Sequence, residues 1–481
     1  MPEADKCARA LHEFLRRAIH AEKERSLSDS TPIWLIQAML LNCIGLLHSG
    51  SERAKQSALT CFGDVINTAN HGELLSLNGS QSKWIGPSRG SVWELWIENE
   101  IRRRTGYCIW LVDCTLAYHF DIRPHLSIED GQAPLPSHES LWQAEAEDSW
   151  RQLYRRFPEN ASLYSAVQSL YVEKKLVSGI GEFGHVLLVH AIYHRMWEVG
   201  DYFRRPLSCW TPTAKKQSRD SAIPSSPIWL PGVPVYSKWR NSACDCLDIL
   251  HWTANGTIAK AAGLEHPTVL HLHAARIVLL VPFREIRSLA VSLANETICW
   301  SEHQKAVEWH HIWRWVKYDQ YKARLAIIHA GSVLWYVRRY STNAFHEPVA
   351  VFLATLTLWA YGWCHGSIIQ QVDPRKGSQP DSSEPHPEPS FFHLDRPCDD
   401  ELVQLFVRKG QTMRGNVTGV GDICGPYGPE RILKEGCRIL LCLMSWGISG
   451  DFTAILTKLA DQVSHRSPSS DQSREIEAIV G

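Results

Sequence analysis

An all-α fold is predicted for this chain: one large helical domain, an irregular multi-helix bundle with two Pro/Ser-rich loops. Apolar side chains recur at helical spacing along most of the 481 residues, and no alternating apolar and polar run is longer than a few residues. Hydrophobic residues make up 44% of the chain, which allows a sizeable core. The chain also holds 20 tryptophans, and rings of this size usually anchor a buried interior.

Charge and cysteine usage argue against two classes of protein, a DNA-binding module by itself and a disulfide-bonded secreted protein. The 50 Lys and Arg residues nearly cancel the 51 Asp and Glu residues, giving a formal net charge of −1. A DNA-binding module normally has a basic excess, because neutralising phosphates supplies most of its affinity. The 14 cysteines are scattered singly apart from Cys244 and Cys246, and the charged N-terminal stretch lacks the apolar run of a secretory signal. Free thiols in the cytosol or nucleus are therefore expected.

The first part of the domain, residues 1–204, begins with three predicted helices. The first is amphipathic, and its apolar face is formed by Leu11, Phe14, Leu15, Ala18 and Ile19. The second, Ile33–Leu47, is apolar on nearly every side and is predicted to be buried all round. The third, Glu52–Asn70, is predicted to turn inward the side chains of Ala58, Phe62, Val65 and Ile66.

A long central helix follows, beginning after Ser91. Ser91 and Glu94 have the spacing of a capping box, which predicts a helix start at this point. Glu100 and Arg104 lie four residues apart in an otherwise apolar seam, with the acid first, as a helical ion pair prefers. A buried charge that loses its partner costs roughly 3–5 kcal/mol, so this pair must be satisfied. A structural role is favoured over a catalytic one.

The remaining elements are helices separated by two loops. A Pro/Ser-rich loop at 205–237 marks the internal boundary, and a second loop runs from Val372 to Ser390. The C-terminal helical part of the domain spans 238–462, and the polar tail 463–481 is predicted to be disordered. The predicted helices are Leu141–Phe157, Ala161–Leu176, Phe183–Tyr202, Lys238–Ala254, His266–Leu293 with a break at Pro282, Glu302–Arg339, Pro348–Ile369, Glu430–Trp446 and Asp451–Leu459.

The segment Pro348–Val372 carries no charge with His365 counted neutral, and it is long enough to span a bilayer. Thr355, Thr357 and His365 interrupt its apolar character, and no basic flank precedes it. A fully buried core helix is therefore favoured, and no membrane is expected as a partner.

No zinc-finger pattern is present in the sequence. A two-Cys/two-His finger needs C-x2–4-C, about twelve residues, then H-x3–5-H. The close pair Cys244-Asp245-Cys246 is one residue short of that spacing, and His251 follows too soon to complete a finger. A binuclear zinc cluster needs six cysteines within about thirty residues, and no such window exists.

Other candidate chemistry also favours structural roles. His190 and His194 lie four residues apart on one helix, but no glutamate stands between them as in a His-Glu-x-x-His motif. Four further histidines are predicted to be isolated and structural: His271, His273, His310 and His311. The run Asp399-Asp400-Glu401 lacks the further aspartate that a magnesium–diphosphate site requires. We therefore expect no catalytic residue, no metal ligand and no cofactor in this chain.

The central helix also carries a family resemblance. Trp96, Glu100, Arg103-Arg104, Trp110 and Asp113, followed by Pro124 and Leu135-Pro136, resemble the regulatory "middle homology" domain of fungal-specific transcription factors. The resemblance is closest to the branch that carries two-Cys/two-His zinc fingers, and it covers roughly residues 30 to 460. The family-signature residues, expected to be structural, are Trp96, Glu100, Arg103, Arg104, Asp113 and Pro136.

This resemblance implies a nuclear transcription regulator, not an enzyme, that controls a metabolic or secondary-metabolite pathway through an effector or a partner. DNA would be reached indirectly or through a finger that this sequence lacks. The partners implied are the transcription machinery or another factor, with a homodimer as one form. Two alternatives stay open. One is a finger-less dimerising modulator of another factor, suggested by the start at Met1 beside the first helix. The other is an all-α isoprenoid or metal-dependent enzyme.

Overall fold

The computed structural model describes residues 2–25, 31–77, 91–157, 160–205, 207, 210–222, 228–260, 266–295, 300–372, 390–396, 400–410 and 413–465. Helices dominate throughout, so the predicted all-α fold is confirmed. The chain divides into an N-terminal unit, Met1–Ala275, and a C-terminal unit, Arg276–Gly481. The second predicted loop, apart from its end residues Val372 and Ser390, lies outside the described residues, as do all but the first three residues of the predicted tail.

In the part of the N-terminal unit that the structure describes, the elements are α-helices, a π-helical turn (Ser169–Glu173) and a 3₁₀ turn (Leu230–Gly232). Its helices are α1 (Pro2–Arg25), α2 (Ile33–Leu47), α3 (Glu52–His71), α4 (Val92–Phe120), α5 (Glu139–Trp142), α6 (Glu147–Tyr154), α7 (Leu163–Gln168), α8 (Glu182–Arg204), α9 (Arg219–Ala222), α10 (Pro234–Lys260) and α11 (Pro267–Leu280). The last of these continues past Ala275 into the sequence of the C-terminal unit.

Helix α4 begins as its sequence predicts. The backbone N–H of Glu94 donates to Ser91 Oγ over 3.3 Å, and the Ser91 N–H donates to Glu94 Oε2 over 2.9 Å. This capping box satisfies two of the donors that the first helical turn leaves without a partner. The helix ends at Asp121, whose left-handed φ of 56° directs the chain back along α4.

Helices α1 and α2 are less buried than their sequences predict. Trp34 and Leu41 are 54% and 67% exposed, so the prediction that α2 is buried all round is wrong. These two residues lie seven apart and share one stripe of α2, which stays open to solvent. Phe14 on α1 is 66% exposed, while the polar ring of His12 faces α2 and its Nδ1 lies 2.8 Å from Asn42 Oδ1.

Two long helices predicted after α4 are interrupted. The first divides into α5 and α6, and the second divides into α7 and the π-helical turn Ser169–Glu173. That turn ends at Lys174, which has a left-handed φ of 53° and so cannot continue a helix.

The C-terminal unit packs its helices around α15, beside a small three-stranded sheet. Its elements are α12 (Phe283–Ala294), α13 (Glu302–Tyr318), α14 (Gln320–Tyr340), α15 (Glu347–Val372), β1 (Ser390–His393), α16 (Asp400–Lys409), β2 (Met413–Val417), β3 (Gly421–Asp422), α17 (Gly428–Leu441) and α18 (Ile448–His465). The break predicted at Pro282 is present, and a second break at Asp319 divides the helix predicted over Glu302–Arg339. Helix α18 also extends three residues into the predicted tail, since it ends at His465.

The sheet is an addition to the predicted architecture. Strand β1 pairs in parallel with β2, with Ser390 opposite Met413, and β2 pairs antiparallel with β3, with Val417 opposite Gly421. Strands of four, five and two residues are too short to show a reliable alternation in the sequence.

Helix α15 forms the core of the C-terminal unit. Its residues from Val349 to Tyr361 are buried, including the hydroxyls of Thr355 and Thr357, which donate to the carbonyls of Val351 and Leu353. This confirms the predicted buried core helix and explains how two threonines are tolerated there. Within the described ranges, no helix is both long enough and apolar enough to cross a membrane.

Candidate functional site

Helix α4 carries a row of polar and aromatic side chains that bind the segment 122–139, which returns along the helix. The row contains Glu100, Arg104, Tyr107, Trp110 and Asp113, spaced three or four residues apart on one face. We call these five residues and the backbone groups they hold the α4 frame. Its contacts join residues far apart in the chain, so they fix the tertiary arrangement of this region.

Glu100 lies at the N-terminal end of the α4 frame and is fully buried. Its Oε1 accepts from Arg104 Nε over 2.9 Å, and its Oε2 accepts from Arg103 Nη1 over 3.1 Å. Ser137 donates its backbone N–H to Oε1 over 2.8 Å and its hydroxyl to Oε2 over 3.0 Å. Two guanidinium groups and two neutral donors thus compensate the buried charge of one carboxylate.

Arg104 extends this contact toward α5 and α8. Its Nη2 donates to the Ser137 carbonyl over 2.9 Å, and its guanidinium lies 4.7 Å from the ring centroid of Trp142. Nearby, the carboxylate of Glu139 accepts from the backbone N–H groups of Glu182 and Phe183, at 2.5 and 2.9 Å. Glu139 therefore caps the N-terminus of α8, where the helix dipole favours a negative charge.

The middle of the α4 frame uses two aromatic side chains as hydrogen-bond donors. The hydroxyl of Tyr107 donates to the Ala133 carbonyl, and Trp110 Nε1 donates to the Ser127 carbonyl over 2.9 Å. Both side chains are almost fully buried. Burial raises the pKa of Tyr107, so its hydroxyl remains a protonated donor at neutral pH.

Asp113 closes the C-terminal end of the α4 frame. Its buried carboxylate accepts the backbone N–H groups of His125 and Leu126 over 3.0 and 2.7 Å. The ring Nδ1 of His125 lies 2.9 Å from Asp113 Oδ1 and carries a proton toward it. This hydrogen bond to Asp113 raises the pKa of His125. On the other side of the turn, His194 Nε2 lies 2.7 Å from the Leu126 carbonyl.

Three signature residues are not members of the frame: Arg103 pairs with Glu100, as described above, and Pro136 and Trp96 lie beside the frame. Pro136 is buried in the returning segment, and its carbonyl accepts from Asn160 Nδ2 over 2.8 Å. Trp96 lies one turn before Glu100, with its ring centroid 5.5 Å from that of Trp150. All six predicted signature residues therefore lie in the same region of the fold. Their assignment as a family signature stays a prediction.

Sequence reasoning missed several members of this site. Ser137, Glu139 and Asn160 make three of its long-range contacts, yet each stands in a turn-rich stretch with no periodic signal. The proximity of Ser137 and Glu139 to the Leu135-Pro136 step was the available clue. Chemically, the carboxylates of Glu100 and Asp113 are fully engaged by donors, which suits fixed packing and leaves no activated nucleophile among them.

The histidines are less isolated than predicted. His190 Nε2 on α8 lies 3.1 Å from His271 Nδ1 on α11, and His273 meets His251 edge to face at 5.6 Å. The prediction of isolation is therefore wrong for His271 and His273, because α11 packs its histidines against neighbouring helices. The ring of His310 stacks on Trp313 at 6.0 Å, and His311 is buried.

The structure also shows the surroundings of Cys246, from the close cysteine pair, and of the acidic residues at the start of α16. Cys246 donates its thiol to the Leu170 carbonyl over 3.4 Å, and burial raises its pKa, so it is a protonated thiol. Asp400 and Glu401 occupy the first turn of α16, and Asp399 lies outside the described residues. Among the side chains that the structure describes, no group of three or more His, Cys, Asp or Glu is arranged to hold a metal ion.

One known protein family matches the part of the chain that contains the α4 frame. Residues 2–199 match the fungal specific transcription factor domain. The matched range includes α1 to α7, most of α8 and every residue of the α4 frame. The family resemblance of the central helix is thereby confirmed.

Curated relatives of this domain are similar along most of the chain. A "Transcription factor" of Gibberella fujikuroi is 22% identical over 440 residues, covering 91% of this chain and 50% of the relative. A "Nicotinate catabolism cluster-specific transcription factor" of Emericella nidulans is 23% identical, covering 77% and 43%. The "Zinc finger protein klf1" of Schizosaccharomyces pombe is 19% identical, covering 76% and 46%.

The chain spans about half the length of these curated relatives, or less. No solved structure matches the chain.

The contact between His125 and Asp113 predicts a pH dependence. Because the folded state raises the pKa of His125 above its ordinary value of 6.5, protonated His125 stabilises the fold. This contribution is complete below pH about 6.5 and is lost as the pH rises through the folded-state pKa. We expect His125→Gln to lower the free energy of unfolding more at pH 5.5 than at pH 8. The His125 side chain is 41% exposed, so the difference stays below about 1 kcal/mol.

Urea titrations of wild type and His125→Gln at both pH values provide the measurement. Other histidines titrate in the same way in both proteins, so their effects cancel in the difference. An effect of the substitution that is equal at the two pH values, or larger at pH 8, contradicts the stabilising role of protonated His125.

Proposed function

We propose that this chain is a nuclear regulator of transcription, of fungal type, that controls a metabolic or secondary-metabolite pathway and is not an enzyme. The match of residues 2–199 to the fungal specific transcription factor domain carries this proposal. The relative named as specific to a nicotinate catabolism cluster supports a pathway-level role. The α4 frame supports a structural role over a catalytic one, because its polar groups form hydrogen bonds with one another and with the backbone.

In this proposal the chain acts on DNA through another protein segment. The sequence has no two-Cys/two-His pattern, and its 50 basic residues are matched by 51 acidic ones. Specific DNA binding without a basic surface loses the electrostatic part of its affinity. A partner factor, or a finger outside these 481 residues, supplies the contact with the promoter. The helical domain then receives a signal and passes it to that partner.

Genome-wide occupancy of the tagged protein, combined with transcript profiling after deletion of its gene, tests the proposal. We expect occupancy to concentrate at promoters of one set of metabolic genes whose transcripts change in the deletion strain. A protein that stays outside the nucleus, or a deletion without transcript changes at occupied genes, contradicts it.

A gel-shift titration of the purified chain separates direct from indirect binding. We expect no promoter-specific complex at physiological salt with this chain alone. Specific binding with nanomolar affinity would contradict the indirect mechanism while leaving the regulatory role in place.

A further inference from the structure

Helix α1 turns polar side chains to the protein and apolar side chains to solvent. The ring of His12 lies against Gly45 on α2, where a Cβ would overlap it, and its Nδ1 lies 2.8 Å from Oδ1 of the buried Asn42. Leu11 and Phe14, by contrast, are 56% and 66% exposed. An amphipathic helix on the surface of a protein normally has the opposite orientation, because burial of its apolar face stabilises it. The outward face of α1 is therefore suited to contact a partner.

The outward side chains of α1 have the spacing of a helix-pairing seam. They follow one another at intervals of four and three residues, as the a and d positions of a heptad repeat do when two helices pair. We call them the α1 seam: Cys7, Leu11, Phe14, Ala18 and Ala21. The first four are exposed and the last is half-buried, so the seam forms one apolar stripe along the helix.

The helix that carries this seam is already ordered in the single chain. Roughly two heptads are too few for isolated peptides to pair, because each peptide would first have to form its helix. Here α1 packs against α2, and Glu13 pairs with Arg16 over 2.8 Å and with Arg17 over 3.1 Å on its surface. Pairing of two α1 helices then requires no further folding.

The charges beside the α1 seam favour a second copy of this chain in parallel orientation. In a parallel pair, a g residue of one helix lies near the e residue of the following heptad on the other helix. Arg17 at g then approaches Glu22 at e of a second copy, and two-fold symmetry makes this contact twice. Both side chains are exposed, at 75% and 40%. The preceding g and e positions are Ala10 and Leu15, which carry no charge.

We propose that the α1 seam is a dimer interface, in which α1 packs in parallel against α1 of a second copy of this chain. The same patch is used on both copies, as in most symmetric dimers. The contact buries Leu11 and Phe14, which the single chain leaves in water, and this burial stabilises the dimer. The inference rests on the geometry of α1 and not on the proposed function.

Sedimentation velocity of the full chain over a micromolar concentration series tests the interface. We expect a monomer–dimer equilibrium in the wild type. Phe14→Glu and Leu11→Glu should each raise the dimer Kd at least about tenfold, because each places a charge in the apolar contact. Both residues are exposed in the single chain, so the variants should keep the helical circular dichroism of the wild type.

Val172→Glu is the matched control, since it places the same charge at a valine of the N-terminal unit that is 81% exposed and lies outside α1. It should leave the dimer Kd within about twofold. A wild-type chain that stays monomeric throughout the series overturns the proposal, and so do Phe14→Glu and Leu11→Glu chains that dimerise as the wild type does.

A charge swap tests the parallel orientation. Arg17→Glu should raise the dimer Kd about threefold, because it brings two acidic side chains together at each of the two symmetric contacts. The double variant Arg17→Glu/Glu22→Arg restores opposite charges across the interface and should recover most of this loss. A double variant that dimerises no better than Arg17→Glu alone overturns the parallel pairing.

Cross-linking through Cys7 provides an independent measurement of orientation. Parallel pairing places the exposed Cys7 thiols of the two copies opposite each other. A short bismaleimide should therefore join two wild-type chains but not two Cys7→Ser chains. A dimeric wild type that is not joined, or a cross-link that persists in Cys7→Ser, contradicts the proposed pairing. None of these outcomes changes the expected promoter occupancy, so a failure here is distinguishable from a failure of the proposed regulatory function.

Discussion

Replacing Glu100 by alanine is expected to lower the free energy of unfolding of the N-terminal unit by about 3–5 kcal/mol. The Glu100 side chain is fully buried, and the guanidinium groups of Arg103 and Arg104 that pair with it are only 12% and 16% exposed. Alanine would leave Arg103 without its carboxylate partner and Arg104 with only the carboxylate of Glu139, 3.9 Å away, and it would also remove the acceptor for Ser137. Urea denaturation followed by far-ultraviolet circular dichroism measures the loss.

Glu98→Ala is the matched control for this experiment. Glu98 lies on the same helix and is exposed, so its removal should change the free energy of unfolding by no more than about 0.5 kcal/mol. Arg104→Ala should also be destabilising, because it removes one of the two guanidinium groups that pair with the buried carboxylate of Glu100. An Arg104→Ala protein with an unchanged melting temperature but no transcriptional response would instead show that the pair has a direct regulatory role.

Local features of this region could be predicted because their physical cause is local. The capping box of Ser91 and Glu94 spans three residues, and the pair of Glu100 and Arg104 spans four. Helix geometry alone brings such residues together, whatever the rest of the chain does. The same reasoning explains why the break at Pro282 and the burial of α15 follow from sequence.

The partners of the α4 frame could not be predicted in this way. Ser137 lies 37 residues from Glu100, and Asn160 lies 24 residues from Pro136, both in stretches without periodicity. The exposed stripe of Trp34 and Leu41 was missed for a related reason, since apolar composition does not show which face a neighbouring helix covers. The pairing of His190 with His271 likewise depends on how α8 and α11 pack.

In the C-terminal unit the burial of Arg324 could not be predicted from the sequence. Arg324 lies within a predicted helix, but a single arginine in a helical pattern is usually a solvated surface charge. Its burial depends on the close approach of Gly410 and on the carbonyl of Val407, which is 83 residues away. Tyr361 and His365 share a helical face by spacing, and their rings stack with centroids 5.3 Å apart.

Asp395 has the role in the C-terminal unit that Glu100 has in the N-terminal unit, and Asp395→Ala is expected to cost about 3–5 kcal/mol of unfolding free energy. The Asp395 side chain is 1% exposed. Its Oδ2 pairs with Arg338 Nη1 over 2.7 Å, and its Oδ1 accepts the backbone N–H and hydroxyl of Thr418, each over 3.1 Å. Removing the carboxylate releases the turn between β2 and β3 from α14.

Hydrogen exchange and urea denaturation together distinguish this mechanism from a general loss of stability. We expect the amide of Thr418 to lose protection in Asp395→Ala, because its hydrogen-bond acceptor is gone. The control Asp461→Ala removes an exposed aspartate of α18 and should change the free energy of unfolding by about 0.5 kcal/mol or less. Glu435→Ala should cost less than Asp395→Ala, since Arg338 then keeps its pairing with Asp395. Equal losses of unfolding free energy in Asp395→Ala and Glu435→Ala would contradict this mechanism. They would show that the loss of an ion pair with Arg338, and not the release of the turn at Thr418, causes the destabilisation.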